Sequence, residues 1–463
     1  MTRPHVAVVG GGIAGLAAAL DLMSDADVTV LESGRRLGGA IDTVEFAGSD
    51  VDTGPDSFLA RRPEMIELAT RLGLADDLVA PATGAAAVWL RSGLRPLPAG
   101  LVLGVPSSLT ALAASGILSA AGLGRAALDY VLPSTAVGED IGVGDLVRQR
   151  LGPEVHERLV DPLLGGIHAG RSEHLSAAVG APQLLAAARG QRSLLRSLGA
   201  SAPPASPTTP VFLTVRGGLG RVVRAAQDAL AAGAGSVRLS TEVIELATAA
   251  AGRGVTLGLA AGGTLDVDGV VLATPAPTTT RLLASVAPAA ATRLNEVRYA
   301  SVVLTLLAYP SDALPSPFTM SGFLVPRTEG RLLTAASWSS SKWAHLGGSG
   351  TEIVRASCGR IDDERALEMD DATIVGSVHT ELAEATGIRS EPHETRVVRW
   401  RRALPQFEVG HALRAARAHA VLESEAPGVV LAGAAYEGLG LPACVASGRR
   451  AAATLLKQLL ASD

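Results

Sequence analysis

The first hydrophobic run, His5-Val6-Ala7-Val8-Val9, is continuous rather than alternating, as a strand covered on both faces of a sheet requires. Gly10-Gly11-Gly12 breaks it. Residues 13–23, rich in Ala and Leu, then predict a helix, and Asp27-Val28-Thr29-Val30-Leu31 predicts a second strand. Val88-Trp89-Leu90 reads as a further short strand. From residue 97 to 132 the chain is unusually apolar, but Pro106, Ser107, Ser108, Ser115, Ser119, Arg125 and Asp129 interrupt it. No run reaches the ~18–20 residues of a membrane span, so a pair of small-residue helices is predicted. They form an apolar lobe suited to lining a pocket or touching a membrane surface. Residues 141–200 also predict helices. Residues 202–210 hold four prolines in nine positions and predict a loop or linker. Strand patterns return at 236–239, 255–259, 268–273, 302–308 and 428–433, and residues 446–460 predict a closing amphipathic helix. There is no internal repeat.

Composition narrows the class. The 463 residues are enough for two or three domains. With 48% hydrophobic and 18% charged residues, the chain predicts a large core rather than disorder. A net charge of −5 argues against a nucleic-acid partner, which needs a basic surplus. The only cysteines, Cys358 and Cys444, exclude a disulfide framework and a cysteine-rich metal site. Lys342 and Lys457 are the only lysines, a bias that carries no functional weight. Met1-Thr2-Arg3-Pro4-His5 does not read as a secretion signal, so a cytoplasmic enzyme is expected.

The sharpest local signal is Gly10-x-Gly12-x-x-Gly15 between a strand and a helix, with Glu32 ending the next strand. Gly10 permits a tight turn, Gly12 lets the backbone approach a pyrophosphate, and Gly15 lets helix and strand pack closely. The helix start offers free N–H groups and partial positive charge, and Glu32 can accept hydrogen bonds from ribose hydroxyls. Downstream, Gly38-Gly39 and Asp52-Thr53-Gly54-Pro55-Asp56-Ser57 supply further segments along one long nucleotide. A second GxGxxG for a nicotinamide cofactor is missing. FAD is therefore the expected cofactor.

These residues carry a wider resemblance. Residues 9–16, 31–39 and 54–58 are followed by Arg150-Leu151-Gly152-Pro153-Glu154-Val155, Gly166-Ile167-His168-Ala169-Gly170 and Arg216-Gly217-Gly218-Leu219-Gly220. Then come Ala273-Thr274-Pro275-Ala276, Ser341-Lys342-Trp343-Ala344-His345, Ala403-Leu404-Pro405-Gln406-Phe407 with Gly410-His411, and Gly433-Ala434-Ala435-Tyr436-Glu437-Gly438. In this order they resemble the FAD-dependent porphyrinogen oxidases of haem biosynthesis, the protoporphyrinogen and coproporphyrinogen oxidases, within the monoamine oxidase-like flavoproteins.

The resemblance implies an α/β architecture in which a Rossmann-type FAD domain (residues 1–85, 211–290 and 409–463) receives two insertions. One is a helical apolar lobe (86–210) and the other a mixed-sheet substrate domain (291–408). It implies that Gly10, Gly11, Gly12, Ile13, Ala14 and Gly15, with Glu32, Ser33 and Ala40, hold the ADP half. Gly54, Pro55, Asp56 and Ser57 would lie near the flavin ring, and Val243 against the adenine. Trp400, Gly433, Leu439, Gly440 and Leu441 would close over the cofactor. Gly166 matches a glycine lining the substrate cavity. Two departures stand out: Ala443 precedes Cys444 where many relatives have Asp, and Ala85-Ala86-Ala87 stands where protoporphyrinogen-type relatives often carry a propionate-pairing Arg.

A porphyrinogen oxidation needs orientation and a dry slot rather than a nucleophile, because the flavin takes the hydride and O2 reoxidises it with release of H2O2. Accordingly no catalytic side chain and no metal site are expected, and His168 and His345 read as structural. Propionates at the rim call for guanidinium groups, for which Arg61, Arg62, Arg91, Arg95 and Arg171 are candidates. The Lys342-Trp343-x-His345 motif is similar to the soluble, Gram-positive type, which favours coproporphyrinogen III over protoporphyrinogen IX. An amine oxidase, a carotenoid-desaturase-like enzyme and a non-catalytic flavin-binding partner in haem synthesis are the rival readings. A peripheral membrane contact and a haem-pathway partner enzyme stay open.

Overall fold

The computed structural model describes residues 3–133, 137–201, 210–248, 254–315, 318–348 and 350–461. Residues 202–209 of the proline-rich loop lie outside them.

One sheet is wholly parallel. Its strands are β1 (His5–Val9), β2 (Asp27–Leu31), β3 (Gly235–Arg238), β4 (Gly269–Leu272) and β5 (Val429–Leu431), in the order β3-β2-β1-β4-β5. The unbroken hydrophobicity of β1 now has its cause. Val6 and Val8 pack into one core with the helices Ile13–Leu22, Gly220–Ala232 and Leu441–Ala461, while Ala7 and Val9 pack into a second core on the other face. That second face is covered by the antiparallel strands Val243–Thr248, Val255–Leu259 and Thr264–Val267, and by helices Ala276–Leu283, Pro288–Leu294 and His411–Glu425. The sheet is thus assembled from the beginning, the middle and the end of the chain. The long final helix crosses Ile13–Leu22 closely at Gly448, where a Cβ would stand 2.1 Å from the Ala14 carbonyl oxygen.

A second, seven-stranded sheet runs, from edge to edge, Glu394–Pro405, Tyr299–Pro310, Thr351–Cys358, Leu333–Trp338, Gly322–Leu324, Ala87–Leu90 and Gly93–Pro96. All pairs are antiparallel except Gly322–Leu324 with Ala87–Leu90. Along Tyr299–Pro310 the faces alternate. Val303, Leu307 and Tyr309 pack with Ile374, Val378 and Leu382 of helix Asp371–Thr386, whereas Leu304, Leu306 and Ala308 pack with Phe46 and Val51 of the hairpin Thr43–Phe46/Ser49–Asp52.

The third body is helical, with Leu112, Leu146, Val147, Leu164, Leu184 and Leu198 among its buried core. Its start differs from the sequence expectation. The segment expected as lobe from residue 86 opens with two strands, Ala87–Leu90 and Gly93–Pro96, which complete the seven-stranded sheet. The period-2 alternation explains this: Val88 and Leu90 face the lobe core, while Ala87 and Trp89 face the sheet core. Among the described residues no helix is long and apolar enough to cross a membrane.

Candidate active site

The glycine loop after β1 is built for close approach. A Cβ at Gly15 would lie 2.0 Å from the Gly10 carbonyl oxygen, and one at Gly10 2.6 Å from that of Ala273. Gly12 is different: no atom lies within 4 Å of the place its Cβ would take, and the same holds at Gly433. Helix Ile13–Leu22 begins at Gly12 without a side-chain cap, leaving its first N–H groups for an external anion. Glu32 is held by the loop, accepting from Gly11 N–H at 2.8 Å on Oε2 and from Gly34 N–H at 2.7 Å on Oε1. Ser33 Oγ also donates to Oε1 at 3.3 Å, which leaves Oε2 with a lone pair for a ribose hydroxyl. The second glycine pair joins the same cradle, since Gly38 N–H donates to Gly11 O at 2.8 Å and Gly12 bridges Gly38. Ser33, Gly39 and Ala40 are exposed at its lip. Thr241 N–H donates to Glu32 O, bringing the Val243 segment alongside, although Val243 itself is buried in the core. An open, uncapped helix start facing a fixed carboxylate fits the pyrophosphate and ribose of a dinucleotide.

Next along the chain, Gly54 has no room for a side chain: a Cβ there would lie 1.8 Å from Ala40 O and 3.7 Å from the Trp400 ring. Trp400 donates Nε1–H to Thr53 O at 2.8 Å, so the indole is fastened to this turn. Asp56 is gripped from the seven-stranded sheet. Its Oδ2 lies 2.8 Å from Lys342 Nζ and 2.8 Å from Arg355 Nη1, and Ser57 Oγ donates to Oδ1 at 3.0 Å. Burial alone raises this carboxyl, but Lys342 and Arg355 outweigh it and hold the group well below the usual carboxylate range. The neighbouring Asp52 goes the other way. Burial pushes it up to about 6 against the hydrogen bond from Thr43 and the attraction of Arg355, and repulsion from Asp56 adds to the rise. Sequence reasoning picked out Asp56 and the lysine motif separately but missed Arg355 and the pairing. The signal available was Lys342, one of only two lysines in the chain.

The sheet face that carries Arg355 also carries a lane of small side chains. Ala335 stands opposite Leu324 on one side and Ser357 on the other, and Ser337 stands opposite Arg355. Leu324, Ala335, Ser337 and Ser357 are only half-buried although they sit on inner strands. Across from them is helix Asp161–His168, where a Cβ on the exposed Gly166 would lie 3.5 Å from Leu324. The lane therefore runs between lobe and sheet toward the Gly54 turn. Leu439 packs against the lobe core, Cys444 N–H donates to Gly440 O, and Leu441 starts the final helix in the dinucleotide core.

The rim arginines sort differently. Arg61 donates to Gln183 at 3.3 Å, Arg62 pairs with Glu64 at 2.8 Å, Arg91 is largely exposed 3.9 Å from Glu329, and Arg95 bonds Ser92. Arg171 adjoins the lobe–sheet seam and pairs with Asp362 at 3.0 Å, which Arg298 shares at 3.1 Å. His168, pushed down to about 4 by burial, is a neutral ring set edge-on to Phe407. Tyr436 turns into the core, donating to Thr279 Oγ1 at 2.7 Å, and so forms no aromatic cage.

A parallel dinucleotide sheet joined to a mixed sheet across a helical lobe defines a flavin-dependent oxidoreductase with FAD as cofactor. The chain belongs to the flavin containing amine oxidoreductase family, whose profile matches residues 13–456. Along 99% of both chains it is 33% identical to a coproporphyrinogen III oxidase of Bacillus subtilis and 34% identical to one of Mycobacterium tuberculosis. A chloroplastic protoporphyrinogen oxidase of Nicotiana tabacum is 29% identical over 95% of this chain and 83% of its own length. A crystal structure of an Exiguobacterium protein, provisionally named a protoporphyrinogen oxidase, superposes with a TM-score of 0.89 at 29% identity, covering 99% of this chain and 100% of that one.

Proposed function

We propose that this protein oxidises coproporphyrinogen III to coproporphyrin III, six electrons passing in three two-electron steps to O2 with release of H2O2, as a cytoplasmic step of haem biosynthesis. The full-length match to coproporphyrinogen III oxidases carries the reading. The small-residue lane between Gly166 and the sheet supports it, because a flat macrocycle needs a wide, shallow slot beside the flavin. When bound, FAD supplies the two-electron acceptor and the route to O2.

The chain's own residues hold and orient. Gly10–Gly15 and Glu32 take the ADP half, and Gly54–Ser57 with Trp400 fix the ring end. Gly433, Leu439, Gly440 and Leu441 close the cleft from the C-terminal side. Leu324, Ala335 and Ser357 offer one face for the slot, and Gly166, whose Cβ would already touch Leu324, stands at its edge. Arg171 with Arg298 offers guanidinium groups at the seam for a propionate, exchanging Asp362 for the substrate carboxylate. The competing substrate is protoporphyrinogen IX, favoured by the likeness to the Exiguobacterium structure.

The deciding experiment incubates the FAD-loaded protein with coproporphyrinogen III, protoporphyrinogen IX and a polyamine panel, following porphyrin fluorescence and H2O2. Preferred turnover of coproporphyrinogen III is expected. Turnover of amines alone, or of neither tetrapyrrole, overturns the reading.

A further inference from the structure

The Ser341–His345 motif and the Asp52–Ser57 turn meet around a small polar cavity with room for about one water molecule, lined by Asp52, Asp56, Ser339 and Arg355, with Asp50 and His345 toward its outer end. Two of its walls hold orphaned polar atoms. Ser339 is 1% exposed and Arg355 9% exposed, yet Ser339 Oγ and Arg355 Nε find no hydrogen-bond partner among the described residues. Buried donors of this kind are met by ordered water where the cavity is polar and has room for it. Asp50 is exposed and His345 half-exposed, so the cavity has a way out. At its inner end Asp56 belongs to the turn that carries Gly54 and that Trp400 fastens through Thr53.

We propose that this cavity holds ordered water and is the proton exit of the oxidation, leading from the Gly54–Ser57 turn past Asp52 to the surface at Asp50 and His345. The proposal rests on the reading of the chain as a tetrapyrrole oxidase. In each two-electron step a methylene C–H bond breaks and its hydrogen leaves with the electron pair to the flavin. A proton also leaves the ring, from a pyrrole N–H in two of the three steps and from the fourth methylene bridge in the other; the electron pair of the broken bond stays in the new double bond and the proton passes to the cavity water. O2 then takes the two electrons, the transferred hydrogen and one proton from solvent, and departs as H2O2, so atoms and charge balance.

The charged groups around the path divide the work. Lys342 and Arg355 keep Asp56 ionised, so it takes up no proton from the path and leaves Asp52 as the titrating carboxyl. Asp52 faces Arg355 from strand Thr351–Cys358, Asp56 from the turn, Asp50 from its own hairpin and His345 across the cavity. Arg216 acts in turn on His345. With its carboxyl at about 6, Asp52 can take up and release a proton near neutral pH. It touches neither the flavin cradle nor the slot, so it is a relay and positioning residue.

The test uses the FAD-loaded protein and the variants Asp52→Asn and Ser339→Ala. The second perturbs the water without removing a charge, should the first fold poorly. In the resting wild type, infrared titration is expected to show a carboxylic acid band that fades as pH rises through about 6 and is missing from Asp52→Asn. A crystal structure is expected to place water within hydrogen-bond reach of Arg355 Nε and Ser339 Oγ. In anaerobic single turnovers with coproporphyrinogen III, Asp52→Asn is expected to slow flavin reduction about tenfold, to lose the pH dependence near 6 and to change the solvent deuterium isotope effect. A dry cavity, or an Asp52→Asn protein with unaltered rate, pH profile and isotope effect, overturns the proton path while the function stands. Failure of the wild type to oxidise any tetrapyrrole overturns the function itself and the path with it.

Discussion

Arg355 donates through Nη2 to the Gly54 carbonyl at 2.5 Å while its Nη1 pairs with Asp56, so one guanidinium from the seven-stranded sheet ties down the turn proposed to hold the flavin ring. The seven-stranded sheet is thereby locked to the Gly54–Asp56 turn; on the proposed function this lies at the reacting edge, where a small misplacement is most costly to rate.

Removing that guanidinium while keeping bulk, in Arg355→Met, leaves Asp56 buried with Lys342 alone. Losing one of two charged partners, with Lys342 still compensating the carboxylate, costs about 1.5–3 kcal/mol. Chemical denaturation is expected to show a loss of this order, with weakened FAD retention on gel filtration. Unchanged stability and occupancy would contradict the bracing role.

Asp52 carries a distinct pH signature in stability. Its carboxyl rises from the ordinary 3.8 to about 6 on folding, so between those values the folded protein keeps a proton that the unfolded chain has released. Stability from this group therefore falls as pH rises from about 4 to 6, by up to about 3 kcal/mol. His168 and His411, each pushed down to about 4, act in the opposite direction over the same window. The difference between wild type and Asp52→Asn in denaturant titrations isolates the carboxyl, and that difference is expected to shrink as pH rises to 6.

Gly15→Ala is expected to yield a protein without flavin colour. The new methyl would start 2.0 Å from the Gly10 carbonyl oxygen, and because that atom belongs to the backbone, relief requires moving the loop itself. Visible absorbance of the purified variant, beside circular dichroism to confirm helix content, decides the matter.

Ala335→Leu is expected to keep FAD but to lower kcat/KM for the tetrapyrrole about ten- to hundredfold, since the added branch stands in the lane between Leu324 and Ser357. Photoreduction of the bound flavin, which needs no large substrate, is expected to proceed as in the wild type. Equal kcat/KM would remove this lane from the slot.

What the sequence made legible follows the distance between cooperating residues. The cradle from Val9 to Gly39 is local, each glycine constrained by neighbours within one strand–turn–helix unit, and its parts could be read in place. The Asp56–Lys342–Arg355 cluster joins segments nearly three hundred residues apart, and no periodicity announces such a pairing. The small-residue lane is equally hidden, because it is made by cross-strand register, with Leu324, Ala335 and Ser357 each looking ordinary on its own strand. Val88-Trp89-Leu90 reads as a strand from its own residues, but the sequence does not say which sheet it joins. Only the sheet shows that alternate residues serve different cores.

The interleaving of β1, β4 and β5 in one sheet has a consequence for biosynthesis. A nascent chain halted after the glycine cradle but before Val429 lacks the edge strand beside β4 and the helix that packs on Ile13–Leu22, so it is expected to hold the prosthetic group poorly until those segments are made.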